Sequence, residues 1–332
     1  MSDKLVTALL DKYPDIASRT AAKLLRQMHP GAFKSLEVAR SAVRHARGAN
    51  GSYSRAQKAK DPEGHMTAWA RELAAVEAAI PAETKVERAP HPIETGWRYL
   101  VICDGHIPEH SRKAIETALD YGKRQGCKGV IELGDMSECK DTSRFRDDPG
   151  VTIRNEIRDR TAFMGYARKA FPSGPYYSKI GNHEDNLRRY INAQAPALAC
   201  LPGLRFEALV PFEAHGVEVV ESTRVIKAGK MSLLHGHEYR GGGGVSPARW
   251  LALKAKTCAA CGHFHATSSH ASRRVDGFEI VTFSIGCLRS RDPEWSPLND
   301  WNWGFAVLDL GKDGDFDFRN FRILSRGEVV PG

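Results

Sequence analysis

The sequence predicts an α/β protein with two β-sheets packed face to face and helices outside, preceded by a small all-α module. Three observations carry this. Residues 99–133 read as strand, helix and strand, a βαβ unit that implies a parallel pair with a right-handed crossover. After about residue 215 the pattern becomes rich in strands. The first 48 residues carry apolar side chains at helical spacing.

Taken in order, Lys4 to Lys12 carries Leu5, Leu9 and Leu10 before a Tyr13-Pro14 break. Ser18 is placed to cap a second helix through Met28, with Ala21, Leu24, Leu25 and Met28 on its apolar face. His29-Pro30-Gly31 ends it. Ser35 caps a third helix that stops at Gly48 and buries Leu36, Ala39, Val43 and Ala46. Spacings of four and three put Arg40, Arg44 and Arg47 together on its other face. Residues 49–96 read as a connection: a Gly-, Ser- and Lys-rich flexible stretch to Gly64, one Ala-rich helix over Met66–Ile80, and a proline-rich segment to Gly96.

A second domain over 97–332 starts with Tyr99–Cys103, a short apolar run suited to a buried strand. A helix over Ser111–Gln125 leads to the strand Gly129–Leu133, and a helix over 152–170 leads to the strand Tyr176–Ile180. Further strands are predicted at Val217–Val220, Arg224–Ala228, Met231–Leu234, Phe278–Ile285, Phe305–Leu310 and Phe316–Ile323. There is no internal repeat.

Composition limits the function classes. At 332 residues with 42% hydrophobic and 27% charged residues, the chain has the makeup of a globular protein with a sizeable core. No stretch approaches the roughly 20 apolar residues of a membrane span. The start Met1-Ser-Asp-Lys lacks a signal-peptide layout, and seven scattered cysteines, an odd number, do not form a disulfide framework. A cytoplasmic location is the resulting expectation. The net charge of +8 is unevenly placed: residues 1–60 hold 12 Lys or Arg against 4 Asp or Glu, and the other 272 residues hold 36 of each sign. That asymmetry points to a polyanionic partner, nucleic acid, at the N-terminal module.

The chemistry sits beside the strands. Asp104-Gly-His106 follows the first strand, Gly-Asp135 the second, and Gly-Asn182-His183-Glu184 the third. Leu-His235-Gly-His237 follows a strand of the second half, and Gly-His263-Phe-His265 lies ahead of another. In open α/β sheets a site forms in the crevice beyond the strands' carboxyl ends, so these five segments converge on one place. Carboxylate oxygen with imidazole nitrogen suits manganese, iron or zinc rather than calcium. Two such ions about 3.5–4 Å apart clamp a phosphate and lower the pKa of a bridging water. Asp-Gly-His alone reads as a turn and Gly-His-Phe-His as a chelate or as surface residues. Gly-Asn-His-Glu is more specific, since Asn and His after an apolar strand are costly unless used. The ordered set of five is stronger than any one of them.

That ordered set resembles the calcineurin-like metallophosphoesterase superfamily over about residues 97–310. The resemblance implies a four-layer αββα sandwich and a centre of two divalent ions, manganese first, with iron, zinc, nickel or cobalt as alternatives. By analogy Asp104, His106 and His265 hold one ion, Asn182, His235 and His263 the other, and Asp135 bridges. His183 is then a general acid or oxyanion stabiliser. Many members orient that histidine with an Asp; here the position is Glu138. His235 and His237 can trade places in this assignment.

The implied activity is phosphoester hydrolysis, directed to nucleic-acid phosphodiesters by the N-terminal module, whose layout resembles a helix-turn-helix. The arrangement also resembles, more loosely, metallophosphoesterases encoded by bacteriophages. The alternatives are a phosphomonoesterase of protein or nucleotide phosphates and a DNA-binding protein with a relict phosphoesterase fold. A complete ligand set speaks against the relict. Arg40, Arg44 and Arg47 are the candidate nucleic-acid contacts. Cys258-x-x-Cys261 reads as buried thiols, His110 as a helix cap, Gly241–Gly244 as a loop beside His235, and Trp295, Trp301 and Trp303 as packing, with base stacking the minority reading.

Overall fold

The computed structural model describes residues 2–48, 50–60, 89–144, 151–241 and 246–332. They divide into two units, Met1–Lys85 and Val86–Gly332.

In the first unit α1 (Ser2–Lys12), α2 (Ser18–Met28) and α3 (Leu36–Arg47) follow the predicted spacing. They enclose a core of Val6, Leu9, Leu10, Ala21, Ala22, Leu25, Phe33, Ala39, Val43 and Ala46. The Ser35 Oγ accepts from the Val38 N–H and caps α3 as expected. Ser18, by contrast, is the first residue of α2 rather than its cap, and Met28 is exposed. The stretch after Gly48, read as flexible, forms α4 (Ser52–Lys60). Its composition hides it because, apart from Tyr53 packed on the core, polar contacts tie it down: Ser52 Oγ donates to Asp3 (2.9 Å), Tyr53 Oη to the Leu10 carbonyl (3.3 Å) and Ser54 Oγ to the Arg47 carbonyl (3.1 Å). The helix expected over Met66–Ile80 lies outside the described residues.

Among the described residues the second unit has 13 strands: β1 (His91–Pro92), β2 (Trp97–Ile102), β3 (Gly129–Glu132), β4 (Tyr176–Lys179), β5 (Glu218–Val220), β6 (Ile226–Ala228), β7 (Met231–Leu234), β8 (Ala259–Cys261), β9 (Ser268–Arg273), β10 (Glu279–Ser284), β11 (Trp303–Leu310), β12 (Phe316–Ile323) and β13 (Val329–Pro331). One sheet has the order β13-β12-β11-β2-β3-β4-β5, the other β1-β6-β7-β8-β10-β9. The predicted strands recur within one or two residues at each end. Four short or polar strands, β1, β8, β9 and β13, were not predicted.

Alternation along β2 builds the layers. Leu100 and Ile102 face a core shared with α5 (Arg112–Arg124) and α6 (Ile153–Ala170). Tyr99 and Val101 face the opposite core, shared with Ile226, Ala228, Met231 and Leu233 of the second sheet. Beyond that sheet, Trp250 and Leu251 of a helix over Pro247–Ala255 cover Leu234, Ala259 and Cys261. The result is helix, sheet, sheet, helix. β2, β3, β4 and β5 run parallel in register, so the chain leaves the first three at one rim, where the motifs begin.

One charged pair is sealed inside. Arg160 of α6 donates to the Glu132 carboxylate and to Ser178 Oγ (3.1 Å), and Tyr176 Oη donates to the same carboxylate (2.5 Å). Removing one member would strand the other without water, the costly case for a buried charge.

Candidate metal centre

Three groups of donors come close enough at the rim to share an ion: Asp104, His106 and His265; Asp135, His235 and His263; and His106, Asp135 and His183. Within each group the donor atoms lie within 4.8 Å of one another. Asp135 and His106 each belong to two of the groups, and Asp135 is the carboxylate that two of them share.

The contacts fix where each donor points. The Asp104 Oδ1 lies 3.2 Å from His265 Nε2 and 3.9 Å from His106 Nε2, and the two imidazole nitrogens face each other at 3.1 Å. His235 Nε2 lies 2.9 Å from Asp135 Oδ2 and 3.2 Å from Asn182 Oδ1. His235 Nδ1 donates to the Leu133 carbonyl (2.8 Å), which turns the lone pair of Nε2 into the site. Glu138 does the same for His106 by accepting from its Nδ1. Asp104, His106, Asp135, His235 and His265 are all buried. Carboxylate and imidazole donors gathered this closely in a buried cluster are what a divalent cation takes, so the donor set fits divalent metal.

The choice between the paired histidines falls on His235. His237 turns away to Ser222 Oγ (2.9 Å), and burial pushes its imidazole down to about 4.

The backbone is bent to deliver these groups. Asp104 (φ 53°), His106 (47°), Asp135 (52°), His263 (70°) and His265 (57°) all occupy the left-handed region, which side chains with a Cβ rarely adopt. Two glycines make room. A Cβ on Gly181 would collide with the Asp135 carboxylate, and one on Gly262 with that of Asp104.

Buried acids then lock the loops. The Glu184 carboxylate accepts from the backbone N–H of Asp135 (3.0 Å), Ser137 (2.9 Å) and Gly181 (2.9 Å), joining the turns after β3 and β4. Burial and the neighbouring Asp135 push it up to about 7. Glu238 accepts from the N–H of His235 (3.1 Å) and Gly236 (2.6 Å) and is paired with buried Lys179 at 3.1 Å. Burial opposes its charge, but Lys179 outweighs that and holds it down to about 2. Lys179 also donates to the carbonyls of Glu221, Ser222 and Arg224. Glu184 was visible in the Gly-Asn-His-Glu motif without a role; Glu238 and Lys179 gave no signal in sequence.

In the metal-free protein His235 is favoured as a cation. Burial works against it, but Asp135 at contact distance pushes it up to about 10. For Asp104 burial is likewise outweighed, by His265, so its carboxyl stays below the usual range.

His183 differs from the donors in being partly exposed, with Nδ1 donating to the Glu138 backbone carbonyl (3.0 Å). The Glu138 carboxylate is 3.6 Å from that nitrogen and is spent on His106. So Glu138 orients His183 through its main chain, not through the side chain that the resemblance implies. His110 does not cap α5; Ser111 does, with Oγ accepting from the Ala114 N–H. Cys258 and Cys261 are buried free thiols. Gly241 is exposed, and Gly242–Gly244 lie outside the described residues.

The candidate nucleic-acid contacts fare unequally. Arg47 turns inward to the Pro14 carbonyl (2.7 Å) and Ser18 Oγ (3.4 Å), and Arg40 pairs with Glu37 at 3.5 Å. Arg44 is exposed. The three arginines share a face of α3, yet they do not form three outward-facing cations, because Arg47 closes the corner between α1 and α2.

The sandwich of two sheets with helices outside is the arrangement that the resemblance to calcineurin-like metallophosphoesterases implies. No family model and no curated protein matches the sequence. Among solved structures the chain is similar to Zn-complexed wild-type Vps29 from Entamoeba histolytica, at 14% identity over 71% of this chain and 97% of that one, with a TM-score of 0.38. It is also similar to YfcE, a phosphoesterase from E. coli, at 14% identity over 70% and 96% with a TM-score of 0.37. A third is the Pseudomonas putida nuclease MPE, at 14% identity over 70% and 87% with a TM-score of 0.31. The function therefore has to be argued from the site's own geometry. Among the described residues no helix is long and apolar enough to cross a membrane.

Proposed function

We propose that the protein is a metal-dependent hydrolase of phosphoesters, working with two divalent ions, and that its substrates are phosphodiesters of nucleic acid. One observation carries the reading: Asp135 belongs to two donor groups, with His106 and His183 in one and with His235 and His263 in the other, beside a third group of Asp104, His106 and His265. Asp104, His106 and His265 would hold the first ion, Asn182, His235 and His263 the second, and Asp135 both. Bound there, the pair supplies Lewis acidity to the phosphoryl oxygens and lowers the pKa of a water.

The chain's own groups do the rest. The Asp135 carboxylate accepts the His183 N–H (2.8 Å), so the bridging residue also sets the backbone of the acid. With Nδ1 committed to the Glu138 carbonyl, His183 has Nε2 left to carry a proton to the leaving oxygen. Its partly exposed position suits contact with substrate. Burial disfavours its charged form, but Asp135 and Glu138 outweigh that and raise its pKa.

The nucleic-acid assignment rests on the charge of residues 1–60, 12 cationic against 4 anionic side chains. A substrate panel on the full chain with added manganese tests both levels. Bis(p-nitrophenyl) phosphate should be turned over faster than p-nitrophenyl phosphate. KM for DNA should climb steeply with salt, while KM for the small bis-ester should stay nearly flat. Preference for the mono-ester would replace the diesterase reading with a phosphomonoesterase. Equal salt dependence of the two diesters would remove the role of the basic module.

A further inference from the structure

The loop joining β10 to β11, residues 285–302, is tied by its backbone to the metal rim. Leu288 N–H donates to the Asp104 carbonyl (3.0 Å), Asn302 N–H to the His265 carbonyl (2.9 Å), and Ser290 N–H to the Glu109 carbonyl (2.8 Å). Asn299 closes the loop on itself, donating to the carbonyls of Arg291 (2.9 Å) and Ser296 (2.7 Å) and accepting from the Trp301 N–H (3.0 Å). What this scaffold presents is aromatic. The Trp301 ring lies against the His265 imidazole, centroids 4.4 Å apart, and Trp295 meets Trp301 edge-on at 5.4 Å.

Two facts set this pair apart from packing. Trp295 is 61% exposed, although a large apolar ring gains by burial. Behind the rings sits Arg289, only 1% exposed, its guanidinium 5.1 Å from the Trp301 centroid and 5.6 Å from that of Trp295. Arg289 is held by Glu109 and lies 3.6 Å from the Glu138 carboxylate that fixes His106. The buried cation polarises both rings and ties their position to the metal ligands. A cavity of about 360 Å³, lined by Arg289, Lys140, His110, Pro293 and Trp295 among others, opens beside them. It is large enough to admit a nucleoside.

We propose that Trp295, buttressed by Trp301 and Arg289, is the stacking surface for a nucleobase adjoining the phosphate under attack. This rests on the diesterase reading and names the substrate's organic part: a planar, aromatic ring, taken without regard to its sequence because every base has a π-face. A rigid two-angle side chain on a hydrogen-bonded loop gives that contact at little entropic cost.

The test uses dinucleotides in which one base or the other is replaced by an abasic deoxyribose, with the full chain and manganese. Wild-type kcat/KM should fall about ten-fold or more when the stacked base is removed, the lower half of the usual stacking range. The fall should lie mainly in KM. In Trp295→Ala the same base should make less than a two-fold difference, and Trp295→Phe should restore most of it. Trp295 fluorescence should be quenched by the intact dinucleotide and not by the abasic one. If wild type shows no base dependence at either position, or Trp295→Ala keeps it in full, the stacking surface is overturned and the diesterase reading stands. If the dinucleotides and the chromogenic bis-ester all resist hydrolysis with every divalent ion, both fall together.

Discussion

Asp135→Asn should reduce turnover of the chromogenic bis-ester by about 10³-fold or more, and should leave the chain folded. The magnitude follows from losing Lewis-acid stabilisation worth several kcal/mol, of which about 4 kcal/mol is three decades of rate. Asp135 is the carboxylate common to two donor groups, it accepts the His183 N–H, and it partners His235 at 2.9 Å. Its loss should therefore lower occupancy at both positions, which metal analysis after dialysis reads directly. A variant with two bound ions and most of its activity would sink the assignment. The metal-free protein offers a second readout. His235 is raised to about 10 by its pairing with Asp135, so that pairing stabilises the fold fully below about pH 6.5, the unfolded value. The contribution is lost as pH rises through about 10. Asparagine removes it across that window, and the metal-free variant's Tm should change less between pH 6.5 and 10 than wild type's.

His183→Ala should keep both ions and lose roughly 10²–10⁴-fold in kcat, the range for a positioned proton donor. If protonated His183 is the acid, wild-type kcat should fall at alkaline pH as the imidazole deprotonates, and that limb should vanish in the variant. Loss of an ion instead would make His183 a ligand, which its proximity to His106 and Asp135 permits on distance alone. Glu138→Gln should behave differently from both. Its carboxylate holds His106 Nδ1, so the change should weaken metal affinity about 10- to 100-fold, as loss of a ligand's outer partner does. Its backbone carbonyl still receives His183, so kcat at saturating metal should stay within a few fold.

Apolar spacing along Tyr99–Cys103, Gly129–Leu133 and Tyr176–Ile180 was enough to find three central strands, because strands buried on both faces are nearly continuous apolar runs. It failed for β8 (Ala259–Cys261) and β9 (Ser268–Arg273). The first is three small residues inside the second sheet, and the second is an edge strand open to water. Neither has a pattern to read. Missing β8 hid a regularity: Gly-His-Phe-His also leaves the end of a strand, as the other four motifs do.

What the sequence determined by itself is a set of candidate donors, with the choice between His235 and His237 left open. Asp104, His106, Asp135, Asn182, His235, His263 and His265 are chemically suited to metals, and each stands at a strand end where a parallel sheet gathers its loops. What only the tertiary structure decided is which atom each donor offers and what holds it there. His235 rather than His237 enters the site because Leu133, a hundred residues earlier in the chain, takes its Nδ1 proton. Glu138 serves His106 through its carboxylate and His183 through its carbonyl. Arg47 closes a helix corner instead of facing outward. Each outcome is a hydrogen bond between residues far apart in sequence, and such a bond has no periodicity to betray it.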